Sequence, residues 1–435
     1  MVTWEFEAKM SQASPIKPSC NNLHFKVSTF DNKNREDLKK NLDIDTYTQI
    51  LETVRKGFDC SWQDFWTYSL TCEKDENNDL GNFHELRIYF QEIESRHERH
   101  FLLEENVLRA KSKSPRQTVF TEEVGVGGAL ALISHVYDLT QADWNVIPEP
   151  NEKIKFLDFR KKISHLASNS EKIIEVEAKG TFVSKENKGK KHKKNIKRHV
   201  DSIREKKAEQ RPLNPQNIFF GVVTSYSTEP DIPPQCLIID PPAMFSSAVP
   251  PEKLRLLSRL NFYLDYLNSI SRANYLVALA TRISAITALN NYLELDTQSL
   301  KNRNGEDFRI SKSYSTALTS FRYENDRNGF GEVKPFNTGQ GSNYAFFFFG
   351  MDLNIPRKMI AQNFSEINSY RCDFPPFFQI TLEARIPVRD LESFRIDYSE
   401  LDLTANGRRA ILPLEGNLNC NSSGLIWGQL QVFNG

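Results

Sequence analysis

The stretch "IIEVEAKGT", Ile173 to Thr181, decides how the middle of the chain is read. Two isoleucines open it, and Val176 and Ala178 then alternate with Glu175, Glu177 and Lys179, the period of two expected of a β-strand. One face of that strand is apolar and the other carries two acids and a lysine. Its neighbours in sequence place it inside a sheet. "IFFGVVTS", Ile218 to Ser225, reads as an apolar strand, and the segment between them, from about Asn195 to Ala208, has helical periodicity. A strand, helix, strand unit is a crossover, which sets the two strands parallel with helices covering the sheet. Burying unpaired charges in such a strand is costly. A divalent ion such as Mg²⁺ or Mn²⁺ would resolve the conflict, because it takes hard oxygen ligands.

The elements upstream extend this unit. "TEEVGVGGALALISHVYDLT" reads as a helix with Thr121 as its cap and Glu122 and Glu123 in its first turn. Short extended pieces are expected around Trp144 to Ile147 and Ile154 to Phe159, and "CLIID", Cys236 to Asp240, supplies a further strand. The order is helix, three strands, helix, strand. In "KIKFLDF" a second acid, Asp158, follows apolar Phe156 and Leu157. If this strand and "IIEVEAKGT" form a hairpin over "RKKISHLASNSEK", Asp158 and Glu177 approach from neighbouring strands. Two carboxylates and a lysine are the minimum set for metal-assisted phosphodiester hydrolysis. The carboxylates hold the metal, the metal acidifies a water and stabilises charge at the phosphorus, and the lysine positions the nucleophile.

These residues resemble the PD-(D/E)xK restriction-endonuclease-like nucleases. Asp158 stands where that family has its first aspartate, and Glu177-Ala178-Lys179 matches its acid-x-lysine element; Leu157 stands where the family often has a proline. The element order is similar to the family's αβββαβ core, and Glu122 or Glu123 lies on the opening helix, where many members carry an additional acid. The resemblance covers about Thr121 to Asp240. It implies a mixed α/β fold (α+β/α/β), with a central restriction-endonuclease-like core built on a mixed sheet. It also implies a Mg²⁺- or Mn²⁺-dependent endonuclease acting on DNA, in microbial defence or DNA processing. Asp158, Glu177 and Lys179 would be catalytic, with Asp158 and Glu177 holding the metal and Glu123 or Glu175 as a further ligand. The ordinary alternative for an E-x-K at a strand end is a solvated ion pair. The corresponding rival for the whole protein is a catalytically inactive nucleic-acid-binding or assembly protein that keeps the nuclease-like fold.

Directly after this strand comes "SKENKGKKHKKNIKRHVDSIREKKAEQR", Ser184 to Arg211. Lys190, Lys191, Lys193, Lys194, Lys197 and Arg198 are the candidate nucleic-acid contacts, able to neutralise a phosphate backbone without reading sequence. The competing reading is a solvated lysine loop leading into an exposed helix. With 56 basic and 56 acidic side chains in all, attraction to nucleic acid has to come from such a local cluster.

A chain of 435 residues is long for one compact unit, and three regions are expected. Residues 1–115 read as mainly helical, with apolar residues at three- and four-residue spacing from about Glu36 to Ala110, closed by "KSKSPRQ". Residues 116–245 form the nuclease-like core, and "DPPAMFSSAVPPEK" leads out of it. Residues 246–435 read as a helical pair, "LRLLSRLNFYLDYLNSI" and "YLVALATRISAITALNNYL", followed by a mostly β part containing "YAFFFFG", "FFQITLEARIPV" and "GLIWGQLQVF". These flanking regions are the expected surfaces for substrate choice, for a second copy or for a partner protein. The N-terminus lacks a secretory pattern and no run reaches the roughly 18 apolar residues of a membrane span, so a cytoplasmic protein without membrane contact is expected. Six scattered cysteines with no C-x-x-C pair indicate reduced thiols rather than a zinc site or a disulfide framework. "VGVGG", Val124 to Gly128, fits a close-packed helix better than a phosphate loop, since no G-K-[ST] follows. His97 and His100 read as a solvated helix face, and "YAFFFFG" as a buried strand rather than a base-stacking platform.

Overall fold

The structure, a computed structural model, describes residues 22–70, 83–104, 107–110, 117–146, 159–163, 172–183, 190–210, 218–229, 231–239, 251–270, 274–289, 291–308, 318–337, 344–396, 401–404 and 407–433. The N-terminal region contains β1 (Asn22–Thr29), α1 (Asn32–Asn41), α2 (Ile44–Lys56), β2 (Phe58–Ser61), α3 (Trp62–Leu70), α4 (Phe83–His100), β3 (Phe101–Glu104) and β4 (Val107–Ala110). The central region contains α5 (Gln117–Tyr137), β5 (Asn145–Val146), β6 (Phe159–Ile163), β7 (Lys172–Val183), α6 (Lys190–Gln210), β8 (Ile218–Ser227) and β9 (Gln235–Ile239). The C-terminal region opens with α7 (Pro251–Ile270) and α8 (Asn274–Ala288). It continues with β10 (Thr319–Tyr323), β11 (Arg327–Asn337), β12 (Tyr344–Asp352), α9 (Asn354–Ala361), α10 (Phe364–Ser369), β13 (Phe377–Pro387), α11 (Val388–Ser393), β14 (Arg409–Cys420) and β15 (Leu425–Val432).

The helix ends follow local chemistry. Asp31 and Asp43 cap α1 and α2 by accepting from the amides of Asn34 at 2.8 Å and Thr46 at 2.9 Å. Gly57 ends α2 at φ +76°, where a Cβ would also lie 2.6 Å from the Phe25 carbonyl oxygen. Proline at the first position of α7 loses nothing, because that amide has no partner within a helix.

The first sheet runs in the order β2-β1-β9-β8-β7-β6-β5, with the β3–β4 hairpin joined through β4 to β8. It is mixed: β7 and β8 are parallel, as the crossover through α6 requires, while β6 and β9 pair antiparallel to β7 and β8. β7 is therefore interior. Its apolar residues Ile174, Val176 and Ala178 are buried in the main core. Helix α5 sits against β7 so closely that a Cβ on Gly125 would fall 2.5 Å from the Gly180 amide nitrogen, and one on Gly180 would fall 1.7 Å from the Thr121 carbonyl oxygen. Only glycine permits this approach, so "VGVGG" is a packing seam and not a phosphate loop.

The second sheet is antiparallel, in the order β10-β11-β12-β15-β14-β13. It curls until its ends meet, where the Arg385 amide donates to Thr319 Oγ1 at 2.9 Å. Phe346, Phe348, Phe378, Leu382, Leu414 and Ile426 fill its inner face. The outer face adds Phe349 and Trp427 to the main core, where Phe90 of α4 lies 5.2 Å and 5.0 Å from their rings. "YAFFFFG" is thus a buried strand on both faces, and Phe346 to Phe349 are closed to a nucleobase.

Buried polar contacts fasten the three regions together. Gln63 donates to Asn419 at 2.9 Å, Asp64 accepts from the Ser422 amide at 2.8 Å, and Asn421 donates to Gln141 at 2.8 Å. Asp143 and Arg259, both fully buried, form a two-point ion pair at 2.8 and 2.7 Å, and Arg259 also donates to the carbonyls of Ile367 and Tyr370.

Two expectations need correction. The N-terminal region, although helices hold most of its described residues, is not a separate helical unit, because β1 and β2 extend the central sheet and "FLLE" and "VLRA" form a hairpin where a continuing helix was expected. Runs of four residues carry too little periodicity to separate a helical turn from a strand. The division at residue 115 consequently does not separate two sheets. Further on, "RKKI" was expected to be hairpin loop, yet it continues β6 to Ile163. Ladder hydrogen bonds belong to the backbone, so charged side chains do not end a strand.

Candidate acidic and lysine site on the central sheet

Side chains alternate along β7, and the two helices show which face is which. Gly180 lies against α5, so Val176, Ala178 and Gly180 look toward α5. Glu177 lies on the other side. Its partner in the ladder, Gly221, has no room for a Cβ because Ile203 of α6 would be 2.4 Å away. Val223, the partner of Lys179, packs with Val200 and Ile203. Glu175, Glu177 and Lys179 therefore share the α6 face, as the alternation in sequence predicted.

Glu177 has no exposed surface. Its Oε1 lies 2.5 Å from Lys179 Nζ and 2.6 Å from Lys206 Nζ of α6. Two cations on one carboxylate oxygen supply the compensation that a buried charge needs. The lysine side chains stay partly open, at 27% and 19% exposure, over a closed carboxylate. Glu175 is buried beside it, with Arg160 as its partner across the ladder. His199 of α6 lies close enough to feel this charge. Burial, then Arg198 and Lys179, push its pKa below the ordinary histidine value, which leaves the ring neutral near pH 7.

The other predicted residues divide into those near this site and those away from it. Asp158 lies outside the described residues. The first described residue of β6, Phe159, pairs with Val176. Glu122 is exposed on α5. Glu123 is buried, but α5 covers the opposite face of the sheet, and Gly127, one turn further along, packs against Ser69 and Phe65 of α3. Lys190 and Lys191 open α6, and Lys193, Lys194, Lys197 and Arg198 are exposed along it. His97 and His100 lie on α4, and their side chains fall outside the described residues.

Lys206 was missed by sequence reading. The signal was present in the helical period, because His199, Ile203 and Lys206 follow each other at four and three residues and share the sheet-facing side with Val200. Lys207 was missed for the same reason; it is buried and donates to the Ile239 carbonyl at 3.2 Å. A lysine on the buried stripe of an otherwise basic helix looks like one more solvated charge until the strand beneath it is known to carry an acid.

Comparison with protein-family models, with curated proteins and with solved structures found no match for this chain. No described helix is long and apolar enough to cross a membrane.

Proposed function

We propose that the central region is the core of a divalent-metal-dependent nuclease resembling the PD-(D/E)xK enzymes, which hydrolyses phosphodiester bonds of nucleic acid, with DNA as the substrate. The observation that carries this reading is the Glu177–Lys179 pair on an interior strand of a mixed sheet, within the element order helix, three strands, helix, strand. Carboxylates of Glu175 and Glu177 on one face are hard oxygen donors of the kind Mg²⁺ or Mn²⁺ takes, and Asp158 is proposed as the acid that completes the set. The donor set fits such an ion once Lys206 gives up its hold on Glu177 Oε1. When bound, the ion supplies an acidified water and charge stabilisation at the phosphorus. Lys179, anchored by Glu177 and partly open to solvent, orients the nucleophile and meets charge developing on the phosphate.

Helix α6 supports the substrate side of this reading. Its first turn holds no acid and begins with Lys190 and Lys191, which places cations at the positive end of the helix dipole. Such placement disfavours the free helix by about 0.3 to 1 kcal/mol per charge and is relieved when an anion docks there. A phosphate backbone running along Lys193, Lys194, Lys197 and Arg198 does this beside Lys179.

One observation favours the rival, a nucleic-acid-binding or assembly protein without turnover: Lys206 already neutralises Glu177, so the pair is stable without metal. Cleavage of labelled single- and double-stranded DNA under Mg²⁺ or Mn²⁺ separates the two. Metal-dependent cleavage abolished by Glu177→Gln supports the nuclease, whereas salt-sensitive binding with no cleavage selects the rival.

A further inference from the structure

At the end of β12 three metal-ligating side chains converge, and a fourth lies against one of them. Asp352 closes β12, Cys372 and Asp373 follow α10, and Cys420 ends β14. One ligand atom from each of Asp352, Cys372 and Asp373 lies within 4.8 Å of the others. Cys420 Sγ is 3.5 Å from Cys372 Sγ. Two sulfurs on one tetrahedral zinc are about 3.7 Å apart, given zinc–sulfur bonds of about 2.3 Å.

Asp352 provides the second observation. It is 1% exposed, yet its hydrogen bonds come from neutral donors, Tyr370 OH at 2.6 Å and the Asn354 amide at 2.8 Å. Both oxygens of this buried carboxylate are thus held by neutral donors, beside the Cys372 thiol, and neither bond supplies a positive charge. Asp373 is the opposite case: its side chain is 69% exposed and is held by Arg327 Nε at 3.4 Å, which leaves a route from solvent into the cluster. These features suit a thiophilic divalent cation better than a hard one, because half the donors are sulfur.

We propose that Asp352, Cys372 and Asp373 hold a zinc-class divalent ion and that Cys420 turns in from beside Cys372 as the fourth ligand, so that the ion ties β12, the segment after α10, and β14 together. On binding, the two thiols each lose a proton to solvent, two metal–sulfur bonds form, and the ion's two charges balance the two thiolates, while Asp373 keeps Arg327 as its counter-charge. With four protein ligands the site is closed and structural rather than catalytic. No C-x-x-C spacing announces it, since the ligands come together only through the antiparallel pairing of β12, β15 and β14.

The test uses the full chain, purified under reductant, stripped with chelator and titrated with Co²⁺ as a spectroscopic stand-in for zinc. The expected result is one equivalent bound, with thiolate-to-cobalt charge-transfer absorption and the visible bands of a tetrahedral ion. Cys372→Ser and Cys420→Ser should each weaken or remove the charge-transfer band. Asp373→Ala, at an exposed position that the fold tolerates, should weaken binding by at least about tenfold. Glu177→Gln should leave the titration unchanged, which separates this site from the proposed nuclease centre. Three results would overturn the proposal: reduced wild-type protein that gives no charge-transfer band, a band that survives both cysteine substitutions, or thiol counting that shows Cys372 and Cys420 joined as a disulfide that excludes metal.

Discussion

Lys206→Met separates the structural role of the Glu177 cluster from its proposed chemistry. Methionine keeps the aliphatic stem that lies against the sheet and removes only the ammonium. Glu177 is left fully buried with the Lys179 ammonium at 2.5 Å. Removing one partner of a buried pair costs about 3 to 5 kcal/mol, and a charged hydrogen bond contributes about 1.5 to 3 kcal/mol. With Lys179 still in place, a loss of about 2 kcal/mol in metal-free buffer is expected. The same substitution frees Oε1 for a metal. If displacing Lys206 costs the ion about 2 kcal/mol in the wild type, Mg²⁺ should bind Lys206→Met about 30-fold more tightly. The assay is urea unfolding in chelator and across a Mg²⁺ titration, for wild type, Lys206→Met, Glu177→Gln and the double variant. The stability loss should shrink to under about 1 kcal/mol in the Glu177→Gln background. A loss that is the same with and without the Glu177 charge, or a Mg²⁺ affinity that Lys206→Met leaves unchanged, refutes the reasoning.

Replacing Lys193, Lys194, Lys197 and Arg198 with glutamine should weaken DNA binding and reduce the salt slope of log K by about 3 to 4, read by fluorescence anisotropy across a salt series. His199 titrates below the ordinary histidine value because of burial, with Arg198 and Lys179 adding to it. The unfolded chain therefore binds its proton more readily, so stability is full above about pH 6.5 and falls as pH drops toward the depressed folded value. Urea midpoints at pH 7.5 and 5.5 should show this fall, and His199→Gln should flatten it. Asp143→Asn leaves Arg259 buried without its carboxylate and should cost about 3 to 5 kcal/mol in chemical unfolding, in a single transition because this pair joins the central and C-terminal regions.

The parts of the fold legible in the sequence were those whose signals are local. The alternation in "IIEVEAKGT" gave both the strand and its faces, and the apolar "IFFGVVTS" after a helical period gave the parallel partner. The glycines of "VGVGG" were readable as packing because nothing around them suited a phosphate. What stayed hidden depended on segments meeting in space. Lys206 reaches Glu177 from 29 positions further on. β1 and β2 join the central sheet from the start of the chain, and short apolar runs such as "FLLE" do not reveal which partner they will find. Burial of Glu177 read as a demand for metal, when a second lysine meets part of it.

The central claim is tested most directly by measuring cleavage and metal binding together in wild type, Glu177→Gln and Lys179→Ala. End-labelled DNA reports cleavage under Mg²⁺ or Mn²⁺, and calorimetry reports ion affinity. The account predicts that the wild type cuts, leaving 5′-phosphate and 3′-hydroxyl ends, that Glu177→Gln loses both metal affinity and cleavage, and that Lys179→Ala keeps the metal but not the turnover. Robust wild-type cleavage untouched by either substitution would place the active site elsewhere, and a wild type that binds DNA but cuts under no divalent ion would contradict the nuclease reading.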